Sequence, residues 1–160
     1  MLSKRKATAA DKEFIRSTHH LAYHDVVVRQ FGSWDEQEQD RFFEDSYRMA
    51  LGPLWWAKPD EIPWEILLND GEPCGYLSVV EEPSYIALRE IVILPAFQSR
   101  GIGSELLREL TNRARAAGLP IQLQVLLMND RAKKLYERFG FDVRGRNQTH
   151  TVMEFRPVRN

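Results

Sequence analysis

The stretch "EIVILPAFQSRGIGSELL", residues 90–107, constrains the fold most: an apolar run of strand character enters a turn holding Gly101 and Gly103 and passes into a helical pattern. A strand that feeds a helix through glycines leaves unpaired backbone N–H groups at the helix start, where the helix dipole adds positive potential. That combination suits a phosphate or diphosphate. Gly101 and Gly103 carry no Cβ to hold a ligand off the backbone, and Arg100 adds a cation at the rim. Two other phosphate loops are excluded, because the third glycine of a dinucleotide fingerprint and the Gly-Lys-Ser/Thr of a nucleoside triphosphate site are both missing. A tight strand-to-helix turn without a ligand is the structural alternative.

Strand and helix patterns alternate around this stretch. "RKAT" reads as a short strand, and Thr8 with Asp11 as a capping box opening a helix that carries Phe14, Ile15, Leu21 and Ala22. A second helix is predicted over "WDEQEQDRFFEDSYRMAL", closed by Gly52 and Pro53. "WEILLNDGEPCGYLSVVEE" reads as two strands joined by Asn-Asp-Gly, which supplies the positive φ angles of a hairpin, and "SYIALREIVILP" as a third. Helical periodicity runs from Ile102 to Ala117 before Gly118 and Pro120, "IQLQVLL" is again a strand, and Asn129 caps a helix ended by Gly140. "FDVRGR" and "THTVMEFRP" complete a mixed α/β arrangement, with "GPLWWAKPDEIPW" left as an irregular loop.

At 160 residues, 43% hydrophobic and 28% charged, the chain has the size of one compact domain, residues 1–160. A net charge of −1 offers no general basic field for nucleic acid or an anionic membrane, so neither is expected as a partner. One cysteine, Cys74, excludes an internal disulfide and a cysteine-based zinc cluster. The start "MLSKRKATAADKEF" lacks the apolar core of a signal peptide, and no run approaches the roughly 18 apolar residues of a membrane span, so a cytoplasmic protein is expected.

The glycine stretch together with "NDRAKKLYERFGF", residues 129–141, resembles the GNAT superfamily of acyl-CoA N-acyltransferases, closely over residues 88–141. The resemblance implies a three-layer α/β fold with a central mixed, mostly antiparallel sheet of six to seven strands and helices on both faces. It implies acetyl-coenzyme A or coenzyme A as cosubstrate, with Gln98, Ser99, Arg100, Gly101, Ile102, Gly103 and Ser104 around the diphosphate. It further implies that the backbone of Ile91, Val92 and Ile93 pairs with the pantetheine arm, that Asn129 contacts the cofactor, and that Tyr136 stands near its sulfur. A splayed gap between the strand ending at Leu94 and "IQLQVLL" is implied as well, as is a homodimer, a frequent assembly in the family.

Acyl transfer from a thioester to an amine needs a neutral amine, a stabilised oxyanion and a proton for the departing thiolate. Tyr136 is the candidate acid, its structural alternative being an aromatic in a core stripe with Leu135 and Phe139. Glu90 is the candidate base: it shares a strand face with Leu88 and Val92, where an unpaired carboxylate is costly and needs either a cationic partner or a role in taking a proton through water. Some relatives carry the base five residues before the asparagine, where this chain has Gln124, which cannot serve. His150 is an alternative base or an ordinary strand residue, and bulk water remains a third option.

His20 and His24 stand at i, i+4, but no third ligand is evident and no metal is expected. Cys74 reads as a small buried hydrophobe rather than an acyl carrier. The acceptor amine should be recognised by the first third of the chain. There Asp35, Glu36, Glu38, Asp40, Glu44 and Asp45 either steer a cation or form a solvated helix face, and Tyr23, Trp34, Trp55, Trp56 and Trp64 either wall a pocket or fill the core. A small-molecule amine is expected ahead of a protein acceptor. The alternative from another class is a catalytically silent acyl-CoA sensor or partner module.

Overall fold

A computed structural model describes residues 1–57 and 60–158. Among the described residues seven strands and four α-helices follow in the order β1 (Leu2–Thr8), α1 (Lys12–Phe31), α2 (Glu36–Leu51), β2 (Glu61–Asn69), β3 (Glu72–Glu81), β4 (Ile86–Ile93), α3 (Ile102–Ala117), β5 (Ile121–Leu126), α4 (Asp130–Arg138), β6 (Phe141–Arg146) and β7 (His150–Phe155). The sheet order is β1-β2-β3-β4-β5-β7-β6, with β1/β2, β2/β3, β5/β7 and β6/β7 antiparallel and β4/β5 parallel. This is the mixed, mostly antiparallel sheet that the sequence led us to expect. Contacts divide the chain into two compact units, Met1–Ser78 with Ile91–Gln98, and Val79–Glu90 with Ser99–Asn160.

In the first unit local chemistry sets the boundaries. The Thr8 N–H donates to Asp11 Oδ2 at 2.8 Å, closing the reciprocal turn before α1, and Gly32 ends that helix at φ 89°. Asp35 caps α2 by accepting from the Glu38 N–H at 2.9 Å. Asp70 and Gly71 take φ of 49° and 82°, the left-handed pair that matches the twist of a two-residue hairpin between β2 and β3. The segment read as an irregular loop is more regular: residues 52–57 form a 3-10 helix, and β2 starts at Glu61, upstream of the expected Trp64. Residues 58 and 59 of that segment lie outside the described residues. β2 starts early because of burial, since Ile62 and Trp64 join Ala7, Ile15, Phe43, Ile66, Tyr76 and Val92 in one apolar cluster. Trp64 stacks on Tyr76 at 5.6 Å between ring centres and meets Phe43 edge-on at 6.2 Å.

Strand β3 carries a bulge. Leu67 pairs with Gly75 but Leu68 with Pro73, so Cys74 is the extra residue, and its carbonyl accepts from the Leu94 N–H at 2.8 Å. Gly75 faces the backbone of β4 so closely that a Cβ would run into Val92 O and stand 3.0 Å from Ile93 Cα. Cys74 is buried, and burial raises its thiol, as expected of a small core hydrophobe.

In the second unit, α3 buries Ile102, Leu106, Leu107, Leu110 and Ala114 at helical spacing and stops at Gly118, φ 68°. β5 alternates buried Ile121, Leu123 and Val125 with exposed glutamines. The rings of Phe141 and Phe155 lie 5.6 Å apart, with Tyr136 5.7 Å from Phe141.

Candidate active site

β4 presents Ile86, Leu88 and Val92 buried on one face, and Glu90 interrupts that row, half-buried. The register between β4 and β5 consists, among the described residues, of Ile86↔Ile121 and Ala87↔Gln122. Each strand then stays with its other neighbour. Leu94, just beyond β4, bonds to Cys74 on β3, while β5 follows β7 as far as Leu126↔His150. Within the second unit Glu90 therefore lies three residues past the last rung of the parallel ladder.

Tyr136 comes from α4 in that same unit. Burial pushes its phenol up to about 12, and the Glu90 carboxylate adds to the shift. The residue as a whole is half-buried. Glu90, 46 positions away in sequence numbering, thus acts on Tyr136 through space.

The glycine loop has the geometry of an anion cradle. Ser99 takes φ 64° and Gly101 φ 80°, and nothing lies within 4 Å of the position a Gly101 Cβ would fill. The first intrahelical bond of α3 runs from the Glu105 N–H to Gly101 O at 3.0 Å, so the N–H groups of Ile102, Gly103 and Ser104 precede it. Arg131 Nη2 donates to Ser99 Oγ at 2.7 Å. In the first unit the Gln98 side chain donates to the Ile93 carbonyl at 2.9 Å. Asn129 uses its side-chain oxygen as the cap of α4, accepting from the Ala132 N–H at 3.3 Å.

His150 is half-buried, its Nδ1 lies 2.7 Å from Thr149 Oγ1, and burial lowers its pKa, so it is neutral near pH 7. Gln124 is exposed and receives a 3.5 Å contact from Asn147 Nδ2.

The histidine pair read from the sequence does not form a unit. His24 turns to Asp25 at 3.3 Å, whereas His20 Nε2 meets Asp40 Oδ1 at 2.7 Å and Glu36 Oε1 at 3.8 Å. His20, Glu36 and Asp40 can offer ligand atoms within 4.8 Å of one another, but Arg16 already brings a cation there, 2.6 Å from Asp40 and 3.1 Å from Glu36. His19, which sequence reading passed over, has Nδ1 2.9 Å from His20 Nδ1, and burial lowers its pKa to about 4. Most of the acidic face is thus engaged internally, Glu44 with Lys12 and Asp35 as a cap. Of the aromatics, Trp64 fills the core, Trp34 packs on His20 at 5.1 Å and donates to Glu36, and Trp56 is exposed; the Trp55 side chain lies outside the described residues.

Residues 16–141 match the acetyltransferase (GNAT) family. The chain belongs to that family. The GNAT chain is 30% identical over 96 residues to the uncharacterized N-acetyltransferase MJ1207 of Methanocaldococcus jannaschii, a match covering 55% of this chain and 42% of that protein. It is 25% identical over 130 residues to the uncharacterized N-acetyltransferase YycN of Bacillus subtilis, covering 78% and 81%. It therefore spans less than half the archaeal relative's length. Its fold matches the crystal structure of PaiA N-acetyltransferase from Thermoplasma acidophilum in complex with coenzyme A, with a TM-score of 0.71 at 17% identity over 98% of this chain and 99% of that one. Among the described residues no helix of the GNAT chain is long and apolar enough to cross a membrane.

Proposed function

We propose that the protein transfers the acetyl group of acetyl-coenzyme A to a primary amine by direct attack, in a ternary complex without an acyl-enzyme, with a small-molecule amine ahead of a protein acceptor. The effect of the Glu90 carboxylate on the Tyr136 phenol carries this reading, because it sets a group able to take a proton within electrostatic reach of one able to give it. Family membership supports the choice of thioester donor. The net charge of −1 supports neither nucleic acid nor an anionic membrane as partner.

The N–H groups of Ile102, Gly103 and Ser104, with Gln98, Ser99, Arg100 and Gly101, hold the diphosphate, for which the left-handed turn and the open space at Gly101 leave room. Ile91, Val92 and Ile93 offer backbone to the pantetheine arm. The Ile93 carbonyl already accepts from Gln98, so the pairing falls mainly to the other backbone groups of that stretch. Asn129 contacts the cofactor through its amide nitrogen, the oxygen being engaged as the cap.

Acetyl-coenzyme A supplies the activated acyl group as a thioester. Glu90 takes the proton of the acceptor ammonium through a water, and Tyr136 donates to the leaving sulfur. A phenol at about 12 is a weak acid against a thiol near 8.5, so full transfer is uphill by roughly 5 kcal/mol and Tyr136 acts first as a hydrogen-bond donor. Protonation of Glu90 removes one of the two causes of the raised phenol. The first proton transfer therefore makes Tyr136 a better acid for the second.

A silent acyl-CoA sensor is favoured by one observation, the same weakness of the phenol. Thiol release from acetyl-coenzyme A across a panel of amines separates the readings: amine-dependent release supports the transferase, and tight binding without it supports the sensor. Calorimetry on a Gly101→Val/Gly103→Val variant tests the loop, and unchanged affinity for acetyl-coenzyme A would overturn its assignment.

A further inference from the structure

Two locally unfavourable choices meet in one hydrogen bond. Ser99 holds φ 64°, a left-handed conformation that is strained for a non-glycine residue. Arg131 sits in the first turn of α4, where a cation opposes the helix dipole. Arg131 Nη2 donates to Ser99 Oγ at 2.7 Å, across 32 residues, and both belong to the same compact unit. The bond fixes an exposed guanidinium beside a loop whose backbone donors, the N–H groups of Ile102, Gly103 and Ser104, carry only partial charges and whose own cation is Arg100. Phosphoryl oxygens are what a planar, permanently charged fork recognises best.

We propose that Arg131 is a phosphate-recognition residue of the glycine loop, pinned in place by Ser99 so that its charge meets the phosphate groups of coenzyme A. The inference rests on the coenzyme A reading above and adds to it a residue outside the glycine motif. The serine then has a purpose at a position where glycine would fit without strain: its hydroxyl is the anchor.

The test is calorimetry of coenzyme A and of its 3′-dephospho form with wild type, Arg131→Ala, Arg131→Gln and Arg131→Lys at low and high salt. Arg131→Ala and Arg131→Gln are expected to weaken coenzyme A binding about 10-fold at low salt, Arg131→Lys less, with the gap narrowing at high salt. Glutamine keeps a donor for Ser99 without the charge, so wild-type affinity in Arg131→Gln would reduce Arg131 to a loop fastener and overturn the proposal. So would a loss of equal size at both salt concentrations, or undiminished binding in Arg131→Ala. If the dephospho form suffers the same loss, the diphosphate is the group read; if its affinity is spared, the 3′-phosphate is. Wild type that binds neither compound overturns the coenzyme A reading itself, an outcome distinct from a variant that matches a binding-competent wild type.

Discussion

The Glu90 carboxylate on β4 raises the proton affinity of the Tyr136 phenol on α4, adding to the effect of burial and carrying it to about 12. Replacing Glu90 by Gln removes the charge and keeps the shape. The Tyr136 phenol is then expected to titrate at lower pH than in wild type, by ultraviolet difference absorbance at alkaline pH. An unchanged titration would dissociate the two residues.

Turnover of Glu90→Gln should fall about 100-fold where the acceptor amine is mostly charged and recover in part as pH rises and the amine loses its proton unaided. A pH–rate profile with the shape and height of wild type would move the base role to His150 or to bulk water.

Tyr136→Phe should behave differently. It leaves amine deprotonation intact and removes the donor to sulfur, so kcat is expected to drop about 100-fold while acetyl-coenzyme A affinity stays within about twofold. Because the wild-type phenol keeps its proton to about 12, the ionisation of Tyr136 should produce no falling limb in the wild-type profile below about pH 11.

Gly75→Ala is a test of the first unit. A Cβ there collides with backbone, Val92 O, which cannot rotate away as a side-chain end can. A loss of at least about 2 kcal/mol is expected in chemical denaturation, or failure to fold, where a surface alanine would be nearly neutral. Stability equal to wild type would mean that β3 and β4 separate freely.

His19 sets an acid limit. Its folded pKa, about 4, lies below the ordinary 6.5, so the unfolded chain binds the proton more readily and stability falls as pH drops through that window. About 1 kcal/mol should be lost by about pH 5.5, and His19→Phe should flatten that slope. Equal acid sensitivity in both proteins would contradict this.

What the sequence determined is local. The caps at Asp35 and Asn129, the Asp70–Gly71 turn and the bounds of α3 follow from side chains that bond their own backbone, from the sign of φ and from apolar spacing. The glycine loop was legible for the same reason. Tertiary structure alone decided which distant groups meet. His20 found Asp40 on another helix instead of His24 one turn away, because a helix face presents i, i+4 neighbours without obliging them to interact. The start of β2 was misread because burial of Ile62 and Trp64 outweighs the turn signal of Pro63. Arg131 could have drawn notice as a cation in a helix's first turn, but its bond to Ser99, like the field of Glu90 on Tyr136, depends on how far β4 runs beside β5 and where α4 then docks. Register and docking are set by the sum of many buried contacts across the chain, a quantity that no short window of sequence contains.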